Sequence, residues 1–222
     1  MTQSIELSAD LLYKGLQAYR FAYQARYSGD RENLTCLKLI VNKASLRIVA
    51  TDGHALAIFD TKIGYDDQSF DMYISGKSAK EIATTLKKNR DSIVTITQLT
   101  SNDVEIKSQN STFIAEYHED YADFPPYEKI IPSEDKAHTG KLSIAILELE
   151  RITAYLKAVF APSKKHYESQ SGIIDIPAES LAPITFRSTL TDIDDISVKI
   201  VQMPTRLPDN ELPVTNEDPN ND

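Results

Sequence analysis

Asp52 and His54 are the pair whose residue types could do acid–base chemistry. A carboxylate two residues from an imidazole can pass a proton near neutral pH. No nucleophile motif accompanies them. The other histidines, His118, His138 and His166, are scattered along the chain, and Cys36 is the single cysteine. There is no HExxH and no cysteine cluster to hold a metal. Asp52-Gly53 is also a turn-forming pair. These residues predict a protein that is not an enzyme and needs no cofactor or metal.

A second set could do a different chemistry. Lys77, Lys80, Lys87 and Lys88 cluster on a 100° wheel opposite Ile82 and Leu86. Lys14 lies opposite the stripe of an earlier helix, Arg20 flanks that stripe, and Arg151 lies on the polar side of a later helix. Such a set is either a solvated face or a set of phosphate contacts. The pattern alone leaves both readings open.

The elements that position these residues follow from periodicity. Ser8 can cap a helix over 8–26, with Leu12, Leu16, Tyr19 and Tyr23 on one face. Strands are predicted at Thr35–Val41, Ser45–Ala50, Leu56–Thr61 and Met72–Ile74. A helix over Ser78–Lys88 carries Ala79, Ile82, Ala83 and Leu86 as its apolar stripe. Ile93–Leu99, Val104–Ser108 and Thr112–Tyr117 read as a meander. After a polar linker at 133–140, a third helix spans Ile146–Phe160, and strands follow at Ile173–Ile176, Ile184–Arg187 and Ile196–Met203. One helix with several strands is thus used three times, by pattern and not by evident identity.

The 222 residues suffice for one large or two small domains, and 41% are hydrophobic. The net charge of −9 argues against nucleic acid. However, residues 208–222 hold five acidic and no basic residues, and without them the charge is −4. This proline-rich segment reads as a disordered acidic tail. It is either a solubility tail or a flexible extension that folds over a neighbouring surface or mimics nucleic acid. The N-terminus lacks the regions of a signal peptide and no apolar run could span a bilayer, so a cytoplasmic protein with no membrane partner is expected.

Three segments, LRIVATDGHALA (46–57), FPPYEKIIP (124–132) and VQMPTRL (201–207), stand in this order. Together they resemble the middle and end of the bacterial DNA polymerase III beta sliding clamp family. The resemblance implies an α+β DNA clamp fold of about one and a half clamp domains. Residues 1–132 resemble the second domain, 133–140 a linker, and 141–207 the second half of the third domain. The first domain and the first half of the third are not matched.

The resemblance also implies a non-enzymatic processivity factor that encircles double-stranded DNA without reading its sequence. Its partners would be a polymerase, other proteins with clamp-binding motifs, and a clamp loader. A cleft for leucine and phenylalanine anchors carries over onto Leu34, Thr51, Gly53, His54, Leu56, Pro125, Lys129, Ile130, Val201, Met203, Pro204 and Leu207. Three positions depart from the family pattern. Ala55 replaces an arginine, Gln202 an apolar residue and Thr205 a methionine. Affinity for the standard motif would be low, or the preferred motif would differ. The helix faces with Lys14, Arg20, Lys77, Lys80, Lys87, Lys88 and Arg151 would line the channel.

Closed clamps carry twelve helix-plus-strand units. Three units per chain would need four copies, so a head-to-tail homotetramer is expected. The rival is a binding module that never encircles DNA, and instead sequesters clamp-binding proteins or pairs with a full-size clamp.

Overall fold

The computed structural model describes residues 3–24, 31–64, 69–131, 146–160, 173–175, 183–190 and 196–203. The linker at 133–140, the tail at 208–222, and Pro204 and Leu207 lie outside them. The order is β1 (Gln3–Ser8), α1 (Ala9–Leu16), β2 (Cys36–Asn42), β3 (Ser45–Thr51), β4 (Ala55–Lys62), β5 (Ser69–Ser75) and α2 (Gly76–Leu86). It continues with β6 (Ile93–Gln98), β7 (Val104–Ser108), β8 (Ser111–Ala115), α3 (Ile146–Phe160), β9 (Ile173–Asp175), β10 (Ile184–Leu190) and β11 (Ile196–Gln202).

The strands form two antiparallel sheets, β1-β6-β7-β8 and β5-β2-β3-β4-β11-β10-β9. Each sheet borrows one strand. β1 precedes α1 yet pairs with β6, whereas β5 precedes α2 yet pairs with β2. This reciprocal exchange is the pattern of two units related by a local two-fold. The third unit extends the larger sheet, because β11 pairs with β4, with Val201 opposite Leu56 and Gln202 opposite Ala55.

All three helices contribute to one core shared with both sheets. Leu12 and Leu16 of α1, Ile82 and Leu86 of α2, and Ile152 and Tyr155 of α3 are buried in it. The helix sits close on the larger sheet at Gly15, where a Cβ would lie 2.6 Å from Ile48 and 3.0 Å from Phe59.

The first helix differs from the sequence expectation. Ser8 caps it as predicted, its Oγ accepting from the Leu11 amide at 3.1 Å. The α-helix ends at Leu16, and a 3₁₀ turn takes over from Gln17 to Phe21. A tighter turn has three residues per repeat, so the apolar phase shifts. Ala18 and Phe21 become buried, while Tyr19 and Tyr23 are only partly so. β1 was not expected at all, although Ile5 and Leu7 alternate inward. β5 runs from Ser69 to Ser75, longer than the predicted Met72–Ile74.

Candidate partner cleft and nucleic-acid face

The turn between β3 and β4 is built by its own side chains. Asp52 Oδ1 accepts from the amides of His54 (2.9 Å) and Ala55 (2.8 Å). Thr51 Oγ1 donates to the Ala55 carbonyl at 2.7 Å and accepts from the Gly53 amide at 3.1 Å. Gly53 has φ +88°, the left-handed region that a side chain would strain. The other carboxylate oxygen of Asp52 accepts from Arg151 Nη1 at 2.5 Å. Burial alone would raise the Asp52 pKa. The Arg151 contact and the two turn amides outweigh it and hold the carboxylate below its ordinary value.

Some of the predicted cleft residues lie on or against this turn. The Met203 amide donates to the His54 carbonyl at 3.0 Å, tying the end of β11 to the turn. A Cβ on Gly53 would lie 3.6 Å from Leu34. Asn33 Nδ2 donates to the Asp123 carbonyl at 3.0 Å, which holds the Leu34 turn against the segment entering Pro125. Leu56 and Val201 pack with Val49, Ile58 and Tyr127 in a second, smaller apolar cluster.

Here the expectation of an open apolar pocket needs correction. Leu56 and Val201 are buried in one cluster with Tyr127, against which Phe124 and Ile131 pack, and Leu34 and Thr51 are buried as well. They form a floor under other residues. Among the described cleft residues, the large apolar side chains left to solvent are Ile130, 48% exposed, and Met203, 43% exposed. His54, Gly53 and Lys129 are exposed too, and Pro125 is half-buried.

Gln202 is 4% exposed. Its Nε2 donates to the Met203 carbonyl at 3.1 Å, and its Oε1 has no hydrogen-bond partner among the described residues. Sequence reasoning missed Tyr127, whose ring packs on Leu56 and Val201 and whose hydroxyl interacts with the Arg47 guanidinium. Asp60 grips Arg47 at 2.6 and 3.1 Å, and these contacts push the guanidinium pKa upward. Its position in the middle of FPPYEKIIP was the available signal.

The cationic residues divide. Lys77, Lys80, Lys87 and Lys88 are exposed along and just beyond α2, with Glu81 exposed among them. Lys14 does not lie on an open face. It is 4% exposed and pairs with Asp10 at 2.8 Å, since α1 is flanked by α2 and by α3. Arg151 is not an outward residue either. It bonds Asp52, pairs with Glu148, and stacks over Phe21 at 4.6 Å. Arg20 is half-buried, donating to Gln17 at 3.3 Å and lying over Tyr19 at 5.2 Å.

Among the described residues no group of three His, Cys, Asp or Glu could hold a metal ion, and no helix is long and apolar enough to cross a membrane.

Two antiparallel sheets that exchange their first strands, with helices packed on a common core, define a DNA clamp fold. Solved structures of similar shape are sliding clamps. That of Pseudomonas aeruginosa with ligand has a TM-score of 0.65 at 20% identity, with 93% of this chain and 66% of that one covered. That of Bacillus subtilis has a TM-score of 0.59 at 19% identity, covering 93% and 65%. The model of the DNA polymerase III beta subunit, central domain, matches residues 6–125, and the chain belongs to that family. The beta sliding clamp of Bacillus subtilis (strain 168) is 24% identical over 199 residues, 89% of this chain. This chain spans about half the length of that curated relative, 49%.

Proposed function

We propose that this chain is a processivity factor that encircles double-stranded DNA and tethers a polymerase or other replication and repair proteins to it. The observation that carries this reading is the exposed set of Lys77, Lys80, Lys87 and Lys88 along and just beyond α2 within a clamp fold. Lysines on a helix contact phosphates without base readout, and such contacts permit sliding. Partners dock where β11 meets the Asp52 turn, with Met203 and Ile130 as the apolar contacts and His54 and Lys129 at the rim. Residues 1–132 act as a clamp domain and 141–207 as half of another. The protein works in the cytoplasm, without a catalytic step of its own, loaded by a clamp loader. Four chains supply the twelve units of a ring. β8 and β9 end their sheets and offer backbone groups for closure.

The test is topological. The protein is loaded onto nicked circular DNA and separated by gel filtration. Encirclement requires retention on circles and loss after the circle is linearised. Equal retention on both forms would reject it. The second reading, a module that binds clamp partners without encircling DNA, is favoured by the net charge of −9. It would show partner binding with no topological retention.

A further inference from the structure

Many of the described cations are held by carboxylates. Lys38 pairs with Asp71, Arg47 with Asp60 and Arg90 with Asp10. Lys77, Lys80, Lys87 and Lys88 differ. All four are exposed, and none has an ion-pair partner among the described residues, although Glu81 stands exposed among them. From Lys77 to Lys87 the row runs about 15 Å along the helix axis. It is a cationic strip on a body that is itself acidic, with a net charge of −4 once residues 208–222 are set aside.

The same sequence supplies a counterpart. Nineteen residues follow Met203, the last one described. Among them Asp209, Glu211, Glu217, Asp218 and Asp222 are acidic, and no lysine or arginine lies beyond Arg206. Nine residues separate Asp209 from Asp218, a span of up to about 30 Å, enough to follow the whole lysine row. The nineteen residues reach up to about 60 Å when extended and about 25 Å as a coil. A folded body of this size is roughly 45 Å across, so α2 lies within reach. Tethering holds the acids near the body at an effective concentration on the order of 1 mM. A contact with a Kd of about 1 mM is then already half formed.

We propose that residues 208–222 dock on the lysine row of α2 in their own chain and occupy it until DNA displaces them. Their carboxylates stand where phosphates would. Attraction on both sides is electrostatic, so the segment competes with duplex DNA, most strongly at low salt. The competition rests on α2 being the DNA face, whereas the docking itself needs neither DNA nor a ring.

The test of docking uses the full chain without DNA, at about 20 mM salt, where screening is weak. A carbodiimide joins a carboxylate to a neighbouring lysine amine as an amide, and mass spectrometry maps the links. They join Glu211, Glu217 or Asp218 to the four α2 lysines. Their yield is at least about fivefold that of links to Lys43, exposed at the β2–β3 turn, and the preference disappears at about 0.5 M salt. A mixture of isotope-labelled and unlabelled protein shows the links to lie within one chain. In a second arm the five acids are replaced by Asn or Gln, with length unchanged and folding checked by circular dichroism. This variant binds duplex DNA at least about fivefold tighter than the native chain at low salt, and the gain fades as salt rises. Links spread evenly over the exposed lysines, links concentrated on Lys129, or links found only between chains overturn the docking. A variant that binds duplex no tighter than the native chain overturns the competition. Links on α2 with no duplex binding by either protein keep the docking and reject α2 as the DNA face.

Discussion

Arg151 Nη1 lies 2.5 Å from Asp52 Oδ2, so one ion pair joins α3 to the turn that carries His54. The two residues are 99 positions apart. Asp52 also organises the turn through the His54 and Ala55 amides, so the position of α3 and the shape of the turn are coupled. Both side chains are largely buried, and removing one partner leaves the other's charge poorly compensated. Arg151→Ala should therefore destabilise the protein by about 2–3 kcal/mol, more than an exposed pair would. Asp52 contributes a pH dependence of known sign. Its folded pKa is depressed below the ordinary value of 3.8. The stabilisation is fully present above that ordinary value and is lost as pH falls through the lower folded value. Urea melts between pH 7 and pH 2 should show an acid limb that is shallower in Asp52→Asn. An identical limb in the variant would assign acid sensitivity to other carboxylates.

Lys77, Lys80, Lys87 and Lys88 make a prediction about salt. Replacing all four by alanine should lower the slope of log affinity against log salt by about 3–4, if each lysine meets one phosphate. Glu81 sharpens the test, because it stands exposed in the same row. Glu81→Gln should strengthen DNA binding about two- to fivefold at low salt, an advantage that fades as salt rises. Binding is read by fluorescence anisotropy on a long duplex. An unchanged slope in the quadruple variant would remove α2 from the DNA face.

The strand order of the meander and the extent of α3 were legible because their apolar periods are regular over whole elements. The helix α3 runs from Ile146 to Phe160 as the pattern has it. β1 was not, because Gln3–Ser8 has only two apolar residues and its partner β6 lies about ninety positions away. The charge placement was legible only in part. Lys14 and Lys80 look alike on a helical wheel, yet Lys14 is enclosed by neighbouring helices that no single-helix pattern can reveal. For the proposed cleft, the burial of Leu56 and Val201 was not legible, since Tyr127 packs against them from a segment whose docking depends on tertiary packing.

Gln202 stands where an apolar residue would fit. Its Oε1 is buried without a partner, at a desolvation cost of about 1–3 kcal/mol. Gln202→Leu removes that cost and keeps the volume similar. Stability to urea should rise by about 1 kcal/mol with an unchanged slope. The opposite sign would mean that Oε1 is satisfied in solution by water or by a residue outside the described ones.

Met203 and Ile130 carry the last prediction. They are exposed apolar residues of the proposed cleft, Met203 at the end of β11 where its amide meets the His54 carbonyl and Ile130 in the 124–131 segment. A peptide with leucine and phenylalanine anchors would bury both. Met203→Asp places a carboxylate where the anchor must desolvate it, and affinity should fall at least about thirtyfold. Ile130→Ala only trims apolar area, so it should cost about three- to tenfold. Both positions are exposed in the free protein, so the melting temperature should move little, which separates lost binding from lost folding. Calorimetric titration of each variant with one such peptide gives the comparison. If both variants bind as tightly as the native chain, the docking surface lies away from β11. If Ile130→Ala alone is silent, the peptide runs along Met203 and His54 without reaching the 124–131 segment.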